Sequence, residues 1–150
     1  MIAIRPARPE DAGVIAGFQI LMARETEDLE LDPDLVDKGV RAVFADPAKG
    51  EYQVAESDGR VIASLLTTPE WSDWRAATVL WIQSLYVIPE ERGRGVYRAL
   101  YEHLKRRVGS DPGLAGIRLY VDRRNATARQ VYEKLGMSRE HYELFEWLKE

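Results

Sequence analysis

The sequence predicts an α/β (α+β) fold: a mixed central β-sheet flanked by helices, in the order β-α-α-β-β-β-α-β-α-β. Three observations carry this reading. Val79 to Ile88 is so dense in large and β-branched residues that it reads as a central strand covered on both faces. Asp58-Gly59 between two apolar runs is a strong hairpin signal. Strands and helical spacings alternate in the second half, and hairpins followed by crossovers imply a mixed sheet.

Taken in order, Ile2 to Pro6 reads as a short strand. Pro9, Glu10 and Asp11 suit a helix start, with proline in the first turn and acids near the positive end of the dipole. Val14, Ile15, Phe18, Leu21 and Met22 form its predicted apolar face, and Glu25 to Asp32 is an acidic loop or helix end. Asp32-Pro33 caps a second helix whose buried face is Val36, Val40, Val43 and Phe44. Strands follow at Glu51 to Ser57 and Arg60 to Thr68, with Pro69 to Ala77 as a link containing Trp71 and Trp74. After the central strand, Val96, Ala99, Leu100, Leu104 and Val108 recur at helical spacing. Gly109 to Gly113 is a turn and Ile117 to Val121 a strand. Asn125 to Leu135 is a helix with Gly136 as a left-handed residue past its end. Alternation over Tyr142 to Leu148 predicts a last strand.

A length of 150 residues favours one domain, 1–150, and 45% hydrophobic residues are enough for a core. The net charge of −4 gives no basic surplus for nucleic acid. Without cysteine there is no disulfide, thiolate metal site or cysteine nucleophile, and two separated histidines do not suggest a metal site. The first residues lack the apolar core of a signal peptide, and no apolar run nears about 18 residues. The expectation is a cytoplasmic protein with no membrane partner.

Between the central strand and the following helix sits Arg92-Gly93-Arg94-Gly95. Pro89 ends the ladder because it has no N–H. A helix N-terminus offers free N–H groups and partial positive charge, and glycines admit a backbone turn with no Cβ in the way. Such N–H groups form a concave anion nest, with Arg92, Arg94 and Arg98 around it. This is a seat for a pyrophosphate, or an ordinary strand–helix turn with solvated arginines. No Gly-Lys-Ser/Thr follows, so it is not a P-loop.

The stretch Leu85-Tyr86-Val87-Ile88-Pro89 with Arg92, Gly93 and Gly95 resembles motif A of the GNAT superfamily, the acetyl-CoA-dependent N-acetyltransferases. It departs at Tyr97, where that family usually has Gly or Ala. Asn125, Ala128, Tyr132, Gly136 and Met137 resemble motif B. The element order is also that of the GNAT fold, so the likeness covers nearly all of residues 2 to 148. It implies acetyl-CoA as cosubstrate, with no metal. Arg92, Gly93, Arg94, Gly95, Val96, Tyr97 and Arg98 would lie at the pyrophosphate, Leu85, Tyr86 and Val87 along the pantetheine arm, and Asn125 beside that arm. Asn125 also reads as a plain N-cap, and Tyr132 as a core tyrosine.

Acetyl transfer needs the thioester held near the amine, a donor for the developing oxyanion, a proton for the leaving thiolate and an amine that has lost its proton. The resemblance makes a backbone N–H near Leu85 to Val87, close to a bulge, the donor, and Tyr132 the acid. Gln83 and Ser84 stand where many members carry Glu and Asp, and neither is a competent base. Glu25 and Glu27, on the segment that lines the acceptor side in the family, are the candidate bases; the other reading is a solvated acidic loop. Tyr86 is a further relay or acceptor-pocket group. The acids from Glu25 to Asp32 favour a cationic amine, and Trp71 and Trp74 either hold an ammonium or pack and dimerise.

The expected function is therefore direct N-acetylation of a small-molecule, peptide or protein amine in a ternary complex. A non-catalytic acyl-CoA-binding sensor or partner module is the alternative, motivated by Gln83 and Ser84. A protein-interaction domain without CoA is a third reading. Trp147 and the family's habit leave a homodimer open.

Overall fold

The computed structural model describes residues 1–149. Met1–Tyr120 forms one compact unit, and the chain from Val121 forms a second. The first unit holds a five-stranded sheet in the order β1-β2-β3-β4-β5. Its strands are β1 (Ile2–Pro6), β2 (Glu51–Ser57), β3 (Arg60–Ser72), β4 (Ala77–Val87) and β5 (Leu114–Leu119). The first four are successively antiparallel and β5 runs parallel to β4, so the sheet is mixed as predicted. Its helices are α1 (Ala12–Glu27), α2 (Pro33–Ala45) and α3 (Val96–Ser110).

The β2–β3 turn follows the sequence reading. Asp58 and Gly59 both take positive φ, 51° and 77°, the geometry a two-residue hairpin with right-handed twist requires. The next hairpin is longer than expected: β3 continues through Pro69 to Ser72, where a link was predicted. Proline is admitted because the β2–β3 ladder ends at Glu51↔Thr67, so beyond Thr67 β3 pairs with β4 alone.

Helices α1 and α2 cover one face of the sheet. Ala12, Ile15 and Ala16 of α1, Val40 of α2, and Tyr52 and Val54 of β2 form one buried cluster. Val36, Val43 and Phe44 pack against it. The buried side of α1 is rotated from the predicted stripe. Ile15 and Phe18 are buried, but Val14 and Leu21 are 44% and 40% exposed, and Ala12, Ala16 and Ala23 take their places. Small alanine side chains let the helix close onto the sheet, where the larger residues sit at the margin. Helix α3 packs on β1, β2, β4 and β5. Its Val96, Leu100, Tyr101 and Leu104 are buried, Tyr101 in addition to the predicted set. Arg107 of α3 donates to Glu51, which alternates with the inward Tyr52, so α3 covers the opposite face.

The second unit contains α4 (Ala126–Lys134). Asn125 Oδ1 accepts from Ala128 N at 3.1 Å, an N-cap as the sequence suggested. Gly136 takes φ 89° past its end. The predicted last strand is a correction: Tyr142 to Leu148 carries no regular secondary structure. Alternation specifies a strand by burying one set of residues, and here Tyr142, Leu144, Phe145 and Trp147 are all exposed.

Asp11 ties β1 to the start of α1. Its carboxylate accepts from Arg8 N at 2.7 Å and from both terminal nitrogens of Arg5 at 2.8 and 3.2 Å. Arg5 Nε donates in turn to Glu56 at 2.8 Å. The Arg5 hydrogen bonds hold the Asp11 carboxyl below its ordinary value of 3.8. A lowered folded pKa means that protonation favours the unfolded chain. Asp11 therefore stabilises fully above pH 3.8, and its contribution fades as pH falls through the folded value. Asp11→Asn is expected to lower the urea midpoint near neutrality and to flatten its fall as the pH drops below 3.8. Parallel curves for variant and parent would contradict the pairing.

Candidate active site

The site begins where β4 leaves β5. Their ladder runs from Thr78↔Leu114 to Ile82↔Leu119 and stops. The next residue, Gln83, is the extra residue of a β-bulge, since Leu66 pairs with Ser84 and Thr67 with Ile82. A bulge bends its strand and increases the local twist. From Gln83 to Val87, β4 keeps β3 on one side and among the described residues has no ladder on the other.

The direction of the backbone groups follows. Ile88 N donates to Ile62 O at 3.0 Å, so Ile88 faces β3. Alternation then turns the N–H and C=O of Val87 and Leu85 toward the open side. These are two of the three residues expected along the pantetheine arm. The bulge lies two residues before Leu85, close to where the resemblance put it.

Beyond β4, Pro89–Glu91 makes a 3-10 turn and the chain reaches α3 through Arg92 to Gly95. Gly93 and Gly95 take φ 78° and 79°. A Cβ at either would meet nothing within 4 Å. The left-handed backbone, not lack of room, is what requires glycine. Gly95 is the N-cap of α3, and its carbonyl accepts from Ala99 N at 2.9 Å. The N–H groups of the first turn, starting at Val96, are thus left for other partners.

A groove of about 350 Å³ runs along this edge. Leu85, Tyr86 and Val87 of β4, Arg92, Gly93, Gly95, Val96 and Tyr97 of the loop and helix, and Glu25 of α1 line it together. Nine of the predicted site residues therefore meet in one place. Arg94 and Arg98 lie on the exposed loop and first helical turn outside the lining, with Arg94 3.5 Å from Glu91. Glu27 is exposed at the last residue of α1 and does not line the groove. Trp71 and Trp74 sit at the β3–β4 tip, 66% and 92% exposed, also outside it. Asn125 and Tyr132 belong to the second unit, at the cap and within α4. Gln83 donates to Thr68 Oγ1 at 2.8 Å, and Ser84 is buried.

Met22, Thr26 and Glu91 also line the groove and were not foreseen. Met22 reads as core from its spacing, Thr26 is hidden in an acidic run, and Glu91 belongs to a 3-10 turn that no periodicity marks.

Three side chains form a connected group. Arg92 Nη2 donates to Glu25 Oε2 at 2.7 Å, and Tyr86 OH donates to Glu25 Oε1 at 3.2 Å. Arg92 Nε donates to Val87 O at 2.9 Å, and its guanidinium lies 5.3 Å from the Tyr86 ring centroid. Tyr86 is buried, with its ring packed at a 39° tilt against Phe18 of α1, centroids 5.3 Å apart. Burial, then the nearby Glu25 charge, raises its hydroxyl pKa above the ordinary 10.0. Tyr86 is thus a neutral hydrogen-bond donor at physiological pH.

A model described as the acetyltransferase (GNAT) family matches residues 15–137. A search of curated proteins finds no match. A crystal structure of a possible acetyltransferase from Clostridium difficile 630 is 41% identical, with TM-score 0.94, covering 99% of this chain and 98% of that one. A ribosomal-protein-alanine N-acetyltransferase from Brucella melitensis biovar Abortus 2308 shares the fold at 17% identity and TM-score 0.78, covering 99% and 100%. An aminoglycoside N-acetyltransferase, AAC(6')-Iy, solved in complex with CoA, shares it at 16% identity and TM-score 0.80, covering 99% and 95%. The family match spans both motifs and the open edge of β4, and the chain belongs to the acetyltransferase (GNAT) family.

Proposed function

We propose that the protein is an acetyl-CoA-dependent N-acetyltransferase that moves an acetyl group directly to a primary amine. One observation carries this reading: the edge of β4 at Leu85 and Val87, which has no ladder partner among the described residues, runs into the left-handed Gly93 and Gly95 loop. An extended amide-bearing chain ending in a pyrophosphate matches both halves of that surface. Acetyl-CoA, when bound, supplies an activated thioester acyl group.

The chain's own groups have the following roles. N–H groups from Gly93 to Val96 seat the pyrophosphate, with Arg94 and Arg98 beside it as cations. Backbone groups of Leu85 and Val87 pair with the arm, and one of their N–H groups donates to the carbonyl oxygen as charge develops there. Val96, Tyr97 and Met22 give the groove apolar walls. Tyr132 donates a proton to the leaving thiolate, and Asn125 contacts the arm. The amine proton leaves to solvent, because Glu25 is already engaged by Arg92 and Tyr86 and Glu27 is exposed at the helix end. The acidic segment from Glu25 to Asp32 favours an acceptor that is cationic in solution. The aminoglycoside acetyltransferases among the structural neighbours fit that direction. Gln83 and Ser84, which provide no carboxylate, favour a second reading as a non-catalytic acyl-CoA-binding module.

Turnover separates the two: release of CoA thiol over a panel of amines supports the enzyme, and binding without release supports the module. In the enzyme, Gly95→Val forces a β-branched residue into the left-handed region. It is expected to raise the KM for acetyl-CoA about five- to hundredfold and leave that for the amine near the parent value. Equal changes in both would argue against the phosphate seat. Tyr132→Phe is expected to lower kcat by about a hundredfold while acetyl-CoA binding, followed by calorimetry, survives. An unchanged kcat would assign Tyr132 to packing alone.

A further inference from the structure

Arg92 is the first cation of the phosphate loop, yet its guanidinium points into a local network. It gives Nε to Val87 O, Nη2 to Glu25, and one face to Tyr86. Val87 O is itself one of the open-edge groups, so Arg92 closes the edge where β4 ends. Glu25 meets this network from α1, which is far away in sequence. The helix offers no reason of its own for an acid there. Glu25 lies in the last turn of α1, where the negative end of the dipole disfavours a carboxylate. Its carboxylate is instead met by Arg92 and the Tyr86 hydroxyl.

We propose that Glu25 is a positioning residue: through Arg92 and Tyr86 it holds the loop entrance and the end of β4 in the binding geometry, and takes no proton from the amine. The inference rests on the acetyl-CoA reading for what the geometry binds. It assigns Arg92 to the architecture of the loop and leaves the pyrophosphate to the backbone N–H groups, Arg94 and Arg98. It also gives Tyr86 a fixed orientation, with its hydroxyl hydrogen committed to Glu25 Oε1.

The test uses the full chain with Glu25→Gln, Arg92→Lys and the double variant. Glutamine keeps the shape but removes the charge; lysine keeps the charge but loses the two-pronged geometry that reaches Val87 and Glu25 together. Glu25→Gln is expected to raise both the KM and the calorimetric Kd of acetyl-CoA about two- to fivefold, the scale of a half-exposed ion pair. The kcat and the pH profile of kcat should stay at parent values. Arg92→Lys should behave alike, and the double variant should be no worse than the worse single. A kcat loss of about a hundredfold with loss of the acidic limb of the pH profile would make Glu25 the general base and overturn the proposal. Additive single effects would overturn it too. If the parent protein binds no acetyl-CoA, the cofactor reading fails by itself. The pinning is then judged by thermal midpoints of the four unliganded proteins: non-additive shifts uphold it and additive shifts overturn it.

Discussion

The structure depends on one constraint: β4 parts from β5 after Ile82 and, among the described residues, leaves backbone polar groups on that side without a ladder. Such groups must find other partners, in water, in side chains or in a ligand. Everything around the groove addresses that edge. The bulge at Gln83 turns the strand just past the last pair with β5. Arg92 Nε takes the carbonyl of Val87. The remaining groups of Leu85 and Val87 face the groove, where an amide-bearing arm can complete the ladder as an added strand. An α/β sheet that splits in this way creates a binding surface from main chain alone, and side chains decide only what is aligned on it.

The helices on either side have different tasks. Helix α3 presents its N-terminus to the groove and buries Val96, Leu100, Tyr101 and Leu104 against the sheet, so its first turn stands on a rigid base. Helix α1 covers the other face through Ala12, Ile15 and Ala16 and brings Glu25 to Arg92 and Tyr86 at the end of β4. An ion pair of 2.7 Å joins Glu25 of α1 to Arg92, in the loop that leads into α3. Because that pair is half exposed, salt screens it and its energy is modest; its value lies in fixing a geometry.

Much of this was legible in the sequence. The Asp58-Gly59 turn, the Asp32-Pro33 cap and the Asn125 cap are local, and local chemistry is what sequence patterns record. The glycine loop and the strand before it were legible because glycine and proline leave few backbone choices. Features set by distant contacts were not. The rotation of α1 depends on which residues the sheet accepts, so alanines replaced Val14 and Leu21 in the core. Pro69 broke β3 on paper only, because its strand had already lost one neighbour. Tyr142 to Leu148 alternates as a strand does, but no face of it is buried. The pairing of Arg92 with Glu25 was not legible either, because the two are 67 residues apart and no spacing rule joins them.

The central claim is that the open β4 edge and the glycine loop bind acetyl-CoA. Its most direct test is a thermal melt of the protein alone and with excess acetyl-CoA, free CoA or ATP. A ligand near a hundred times its Kd stabilises the folded state by about 2.7 kcal/mol, or about 5 to 10 °C for a domain of this size. The account predicts that shift with acetyl-CoA and with CoA, and none with ATP, which lacks the arm that pairs with Leu85 and Val87. No shift with either CoA form would contradict it.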